Sequence, residues 1–246
     1  RFLRICFLFI LKFTPLSTTL FYMAFPFFTI ALILIILFQV RTHQVNIKEK
    51  EIDRDFWKRE HDANFTRKKS LDSLSLVHIP ADRLPFSVPL QDAAAKEAAS
   101  TVQNLAERGA KIANLTGLSN TDLKLEWGTA NLPALTEFDD NYTTLVKALH
   151  AWGKGLLDAG FYKEAAEVLE FSVSTRSDIR ASYELLVDLY QTKLGLSLTE
   201  SRQKIAALEQ IASQLSTLNK NQILRFLQEA LPADGQRSCK KHSAHF

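Results

Sequence analysis

The chain has 246 residues, 46% hydrophobic and 23% charged, with a formal net charge of +3. That is room for one membrane element and one domain of ordinary size, and a charge so near neutral argues against nucleic acid as the main partner. Only Cys6 and Cys239 are present, so no disulfide framework follows and the redox compartment stays open.

Arg1 in place of Met reads as a processed or truncated start. From Phe13 to Val40 there is no charged residue, and Phe21 to Val40 reads "FYMAFPFFTIALILIILFQV". A helix rising 1.5 Å per residue crosses a hydrocarbon core of about 30 Å over such a stretch. Thirteen of its residues are Phe, Ile, Leu or Val, supplying about −4 to −8 kcal/mol towards insertion. Pro26 is expected to kink this helix without abolishing it. A cleaved signal peptide would carry a shorter apolar region followed by a small-x-small site, and neither is seen. Residues 1–40 are therefore expected to be a single-pass membrane anchor, with the bilayer as first partner. Arg1, Arg4 and Lys12 precede the span and Arg41, Lys48, Lys50 and Arg54 follow it, which gives no useful asymmetry. A short basic N-terminus before one span is the usual arrangement for a domain sent outside, and an extracytoplasmic domain is the expectation.

Residues 41–89 read as a charged stalk and a Pro-containing wrap. Over 41–70 opposite charges alternate, with Val45, Ile52 and Phe56 sparsely spaced, as in a solvated helix. Arg67, Lys68 and Lys69 suggest a lipid-binding stretch, which the interleaved acids weaken. "SLDSLSLVHIPADRLPF" then predicts a short extended segment and an irregular wrap at Pro80, Pro85 and Pro89.

Residues 90–232 read as all-α. Val102, Leu105 and Ile112 share one face of a helix that Gly117 is placed to end. "GLSNTDLKLEWGTANLPALTEFDDN" reads as a connector pinned by Leu123, Leu125 and Trp127, and Asp139 and Asp140 as caps of the next helix. "WGKGLLDAGFYKEAAEVLEF" raises the question of a phosphate-binding glycine loop. Such a loop needs a preceding strand and a helix that starts at the glycines, leaving N–H groups free for the anion. Leu145, Leu149 and Trp152 are spaced by four and three, a helix face, so Gly153 and Gly155 lie inside a helix and the nucleotide reading fails.

This stretch resembles the tetratricopeptide repeat, a helix–turn–helix unit. With Gly160 and Tyr162 at the turn, Gly153 takes the small position where the helices cross. Leu156 takes the large one beside it, Ala165 the small one in the second helix, and Leu169 and Ser172 the later large and small ones. Ser177 replaces the helix-ending proline, and Trp152 stands where leucine is more usual. One period on, Asp178 is a plausible cap, and Tyr183, Leu186 and Tyr190 continue the inner face. Ser197 and Glu200 form a capping box, Ile205, Leu208, Ile211 and Leu215 line the next helix, and a last helix ends near Pro232. About two repeats, capped by flanking helices, are expected. Residues 233–246 read as a polar, disordered tail.

The stretches "NFTRKKSLDSLSLVHIPADRLPF" and "NLTGLSNTDLKLEWGTANLPALTEFDDNYTTL" also resemble an uncharacterised family of bacterial membrane-anchored, repeat-containing proteins. The resemblance implies an anchor followed by a helical domain and brings no activity with it. It also discounts the three Asn-x-Thr sites at Asn64, Asn114 and Asn141, which matter only where a secretory pathway reads them.

No catalytic motif is present, and His43, His61, His78 and His150 make no ligand spacing. Cys239, His242 and His245 recur at threes, but in a polar tail a solvated segment is the plainer account than a metal site. No enzyme activity and no cofactor or metal are expected. The first helix of each repeat pair lines the concave face, which the resemblance assigns to Lys147, His150, Lys154 and Leu157, then Glu184, Asp188 and Gln191. The expected function is a membrane-tethered scaffold or adaptor presenting this groove to a protein or peptide, with no nucleic acid. The alternative is a structural, self-associating component without a groove.

Overall fold

The computed structural model describes residues 2–231, with side chains from Thr29 onward except Asn46. Cys239, His242, His245 and Pro232 lie outside the described residues. The chain divides into two compact units, Arg1–Asp62 and Ala63–Phe246. Among the described residues every regular element is helical; extended structure is limited to one antiparallel bridge, Leu76 to Ala113.

The first unit is made by α1, Phe2–Asn64, an unbroken helix of 63 residues. From Thr29 it is long and apolar enough to cross a membrane, and none of its most apolar window is buried against protein. It lies near the N-terminus, where a signal sequence meets the same criterion. Beyond Arg41 the charged stretch stays helical and exposed, as its alternating charges predict.

The second unit begins with the wrap. Leu71 to Leu74 is a turn, closed by Leu74 N–H on Leu71 C=O at 3.0 Å, and only Leu76 is truly paired. The alternating leucines therefore mark a turn packed on a small core (both Leu71 and Leu74 touch it) rather than a strand. Asp92 opens α2, Ala93–Glu107, by accepting from Ala95 N–H at 2.8 Å. The helix ends at Arg108 and Gly109, earlier than Gly117, which sits in the following loop.

The supposed connector carries structure of its own. Ser119 and Asp122 form a capping box that starts α3, Asn120–Trp127. A 3-10 turn, Thr129–Asn131, leads into α4, Leu132–Asp158, which has proline in its first turn. Leu123 and Trp127 are buried as expected and Leu125 only half so. Leu123 and Trp127 pack with Leu115, Leu135 and Phe138 in the small core. Asp139 and Asp140 lie inside α4 and cap nothing at its start. Asp139 Oδ1 instead accepts the Leu115 N–H at 3.3 Å, tying the preceding loop to the helix.

Helix α4 buries ten residues, including Leu145, Leu149, Trp152 and Leu156. The glycines explain how neighbours come so close. A Cβ on Gly153 would meet Leu169 Cγ at 2.6 Å, and one on Gly155 would run into the Ala95 methyl. Thus α5, Tyr162–Ser174, crosses α4 at Gly153, and α2 crosses it at Gly155. Gly160, at φ +85°, makes the left-handed turn between α4 and α5. These glycines serve packing, and no anion site follows.

Helix α6, Arg180–Asp188, starts at Ile179 without a side-chain cap. Asp178 faces Asn219 instead, accepting from its Nδ2 at 3.4 Å. The chain then loosens into a π-turn, Leu189–Lys193, and the predicted Ser197–Glu200 capping box opens α7, Leu198–Ser213. Ile205 and Leu208 are buried on α7 and Ile211 half-buried, while Leu215 is buried just past the helix end. Helix α8, Lys220–Ala230, closes the unit with Ile223 and Leu227 inward. The larger core runs from Ile79 to Leu227 and joins α2, α4, α5, α6, α7 and α8.

Candidate functional site

The seven residues singled out from the sequence fall on α4, on α6 and in the π-turn. Lys147 and Lys154 are exposed on α4, while Leu157 is half-buried against the larger core. Lys154 is already engaged, its Nζ 2.9 Å from Asp158 Oδ2. That carboxylate holds the ammonium above its ordinary pKa. Glu184 is half-buried and paired with Arg180 at 2.8 Å. Asp188 accepts from Thr192 Oγ1 at 2.9 Å, and Gln191 donates to Ala230 C=O at 3.0 Å.

His150 is the one that joins the helices. Its Nδ1 lies 3.0 Å from Ser182 Oγ on α6. Burial, and then the charge of Lys154, pushes its pKa below the usual 6.5. The ring thus links α4 to α6 through this contact. Of the two lysines in the set, Lys154 is ion-paired and Lys147 has no ion pair among the described residues.

Sequence reasoning missed a cleft of about 570 Å³ built from four separate loops. Residues 75–78, 114–118, 174–176 and 214–217 line it, with Phe171 at its side. Asn114 organises one wall. Its Nδ2 donates to Tyr142 Oη at 2.9 Å and reaches Thr175 and Arg176 C=O at 3.2 and 3.3 Å. Tyr142 in turn donates to Thr175 C=O at 3.1 Å. Burial foremost, with Asp178 and Asp139 nearby, raises this phenol to about 12, so it stays a neutral donor. The clasp holds Arg176 at φ +63°, a left-handed position that favours glycine, at the end of α5. Leu76 and Leu118 also line the cleft and are among the exposed large apolar side chains.

Among the described residues no group of three or more His, Cys, Asp or Glu side chains is close enough to hold a metal ion. His43 and His61 sit on exposed α1, far in sequence from His78 in the cleft. Asn64 and Asn141 have structural partners too. The Asn64 carbonyl accepts from Lys124 Nζ at 2.8 Å, and Asn141 bridges Arg108 and the Lys111 carbonyl.

Set against protein-family models, curated proteins and solved structures, the chain finds no match.

Proposed function

We propose that this chain is a membrane-tethered, protein-binding module built on tetratricopeptide-like helical hairpins. The observation that carries the reading is the α4–α5 hairpin. Gly153, Leu156, Ala165, Leu169 and Ser172, the five positions of the repeat pattern, are all buried in it, with the glycine at the helix crossing. The apolar part of α1 from Thr29 supports the tether, since its described side chains find no protein to cover them. The groove is then the face formed by α4, α6 and the π-turn that carries Lys147, His150, Lys154, Leu157, Glu184, Asp188 and Gln191. Lys147 is its uncommitted cation and suits a carboxylate on a bound peptide.

The test is a photo-crosslinker placed at position 147 of the full-length chain in its native membrane, with position 163 on α5 as control. A partner captured from 147, not from 163, and lost in a folded Lys147→Glu, Lys154→Glu variant supports the groove. A folded double variant that keeps every partner removes it.

A second reading, a self-associating structural component, is favoured by Leu198 and Leu218, which are 78% and 98% exposed. Isolated apolar side chains this exposed are common, but two beside helix ends mark where another surface can sit.

A further inference from the structure

The water-side half of α1 carries an apolar stripe that nothing in its own unit covers. Phe38, Val45, Ile52 and Phe56 are 72%, 46%, 67% and 55% exposed. On a helix of 3.6 residues per turn, residues seven apart lie within about 20° of each other and residues four apart within about 40°. Phe38 and Phe56 are thus five whole turns apart on one line, with Val45 and Ile52 close beside it. Spacings of seven, seven and four mix the periods of left-handed and right-handed coils and suit nearly straight partners. Ile52 and Phe56 lie about 18 Å or more along the helix from Val40, at 1.5 Å per residue. That is too far for the same bilayer to cover them.

The charges beside the stripe say what does. Arg41, Lys48 and Arg59 fall along one flank, and Glu49, Asp53 and Glu60 along the other. Asp55 lies further round, behind the basic flank. Two copies related by a two-fold axis parallel to the helix bring the basic flank of each against the acidic flank of the other, at the same level. Lys48 then lies beside Glu49 of the second copy, twice. An antiparallel pair would set basic against basic and acidic against acidic. Flanking charges of this kind fix partner and orientation in helix pairs.

We infer that two copies of this chain pair in parallel through α1, along Phe38, Val45, Ile52 and Phe56, with Lys48 of each copy facing Glu49 of the other. The inference is independent of the groove on α4 and α6, and it would stand if that groove bound nothing.

The experiment uses the full-length chain in membrane vesicles, with Cys6→Ser and Cys239→Ser to remove the native thiols. Single cysteines are placed at Val45, at Ile52 and, on the opposite face, at Arg54, and a mild oxidant is added. A disulfide-linked dimer is expected at both Val45→Cys and Ile52→Cys, several-fold stronger than at Arg54→Cys. In the Ile52→Cys background, Lys48→Glu should lower the dimer several-fold, and adding Glu49→Lys should restore it. All these positions are exposed, so loss of fold is not the competing explanation. A dimer at Arg54→Cys equal to that at Ile52→Cys, no dimer at Ile52→Cys, or no response to Lys48→Glu overturns the inference. So does a dimer at only one of Val45→Cys and Ile52→Cys, because an antiparallel pair brings only one level to its own copy.

Discussion

Helices α1 and α4 are the two longest in the chain, and they meet opposite fates. Helix α4 buries ten of its 27 residues, with α2 and α5 pressed against two glycines on its sides. Helix α1 buries none of its described side chains between Thr29 and Asp62. Both are apolar, but differently. In α4 the apolar residues recur at three and four, so one face is committed to neighbours within the fold. In α1 they first run all round the helix and then thin to a stripe through Phe38, Val45, Ile52 and Phe56, with Ile47 and Trp57 off it. Apolar content therefore does not locate a core; its angular distribution does.

The sharpest way to break that comparison is to fill the crossing of α2 and α4. Gly155→Val should lower the stability of the second unit by about 3 kcal/mol, because the Ala95 methyl is fixed to its backbone and α2 must back away. The midpoint of urea unfolding reads this, and Lys50→Val on exposed α1 should leave that midpoint where it was. Equal losses from the two would mean that α4 is no more constrained than α1.

A smaller effect is expected where α4 is tied to the end of α5. Asn114→Ala strips the donor from Tyr142 Oη and from the Thr175 and Arg176 carbonyls. The loss should be about 2 kcal/mol, since partly buried acceptors are left without their partner. Unchanged unfolding would show that water replaces the amide there.

The mildest probe is pH. His150 has its pKa lowered by burial, so below about 6.5 the unfolded chain takes up the proton before the native one does. Stability present above that pH should fall as the medium is acidified through the native value. Comparing urea midpoints at about pH 7.5 and pH 5, His150→Gln should show a shallower decline than the parent chain. An identical slope would remove His150 from the contact that joins α4 and α6.

Local rules made much of the second unit legible in the sequence. The Ser197–Glu200 box needs only a spacing of three, and the α4 helix across Gly153 and Gly155 follows from Leu145, Leu149 and Trp152. The same spacing at Ser119 and Asp122 marks the start of α3 within the stretch that reads as a connector. Other features were beyond local reading. Asp139 looks like a cap beside Asp140, and only tertiary structure brings Leu115 N–H to it. Gly109, at φ +59°, follows the end of α2, although Gly117 carries the same signature. The seven face residues fall on α4, on α6 and in the π-turn, but the pattern could not foresee that most would be claimed by neighbours such as Asp158, Arg180 and Thr192. The cleft drew no signal at all, being assembled from four loops that lie far apart along the chain.

The Asn114 clasp has a consequence for how the protein can be made. Asn114, Leu115 and Thr116 form an acceptor sequence for N-linked sugar. A host that glycosylates during translocation would modify Asn114 before the end of α5 could dock on it. The sugar would occupy Nδ2, leaving one hydrogen for three acceptors, and would stand where the end of α5 has to dock. If the second unit is carried into a glycosylating compartment, that sugar would hinder docking at this joint, and Asn114→Gln would remove the sugar at no more than the cost of losing the clasp.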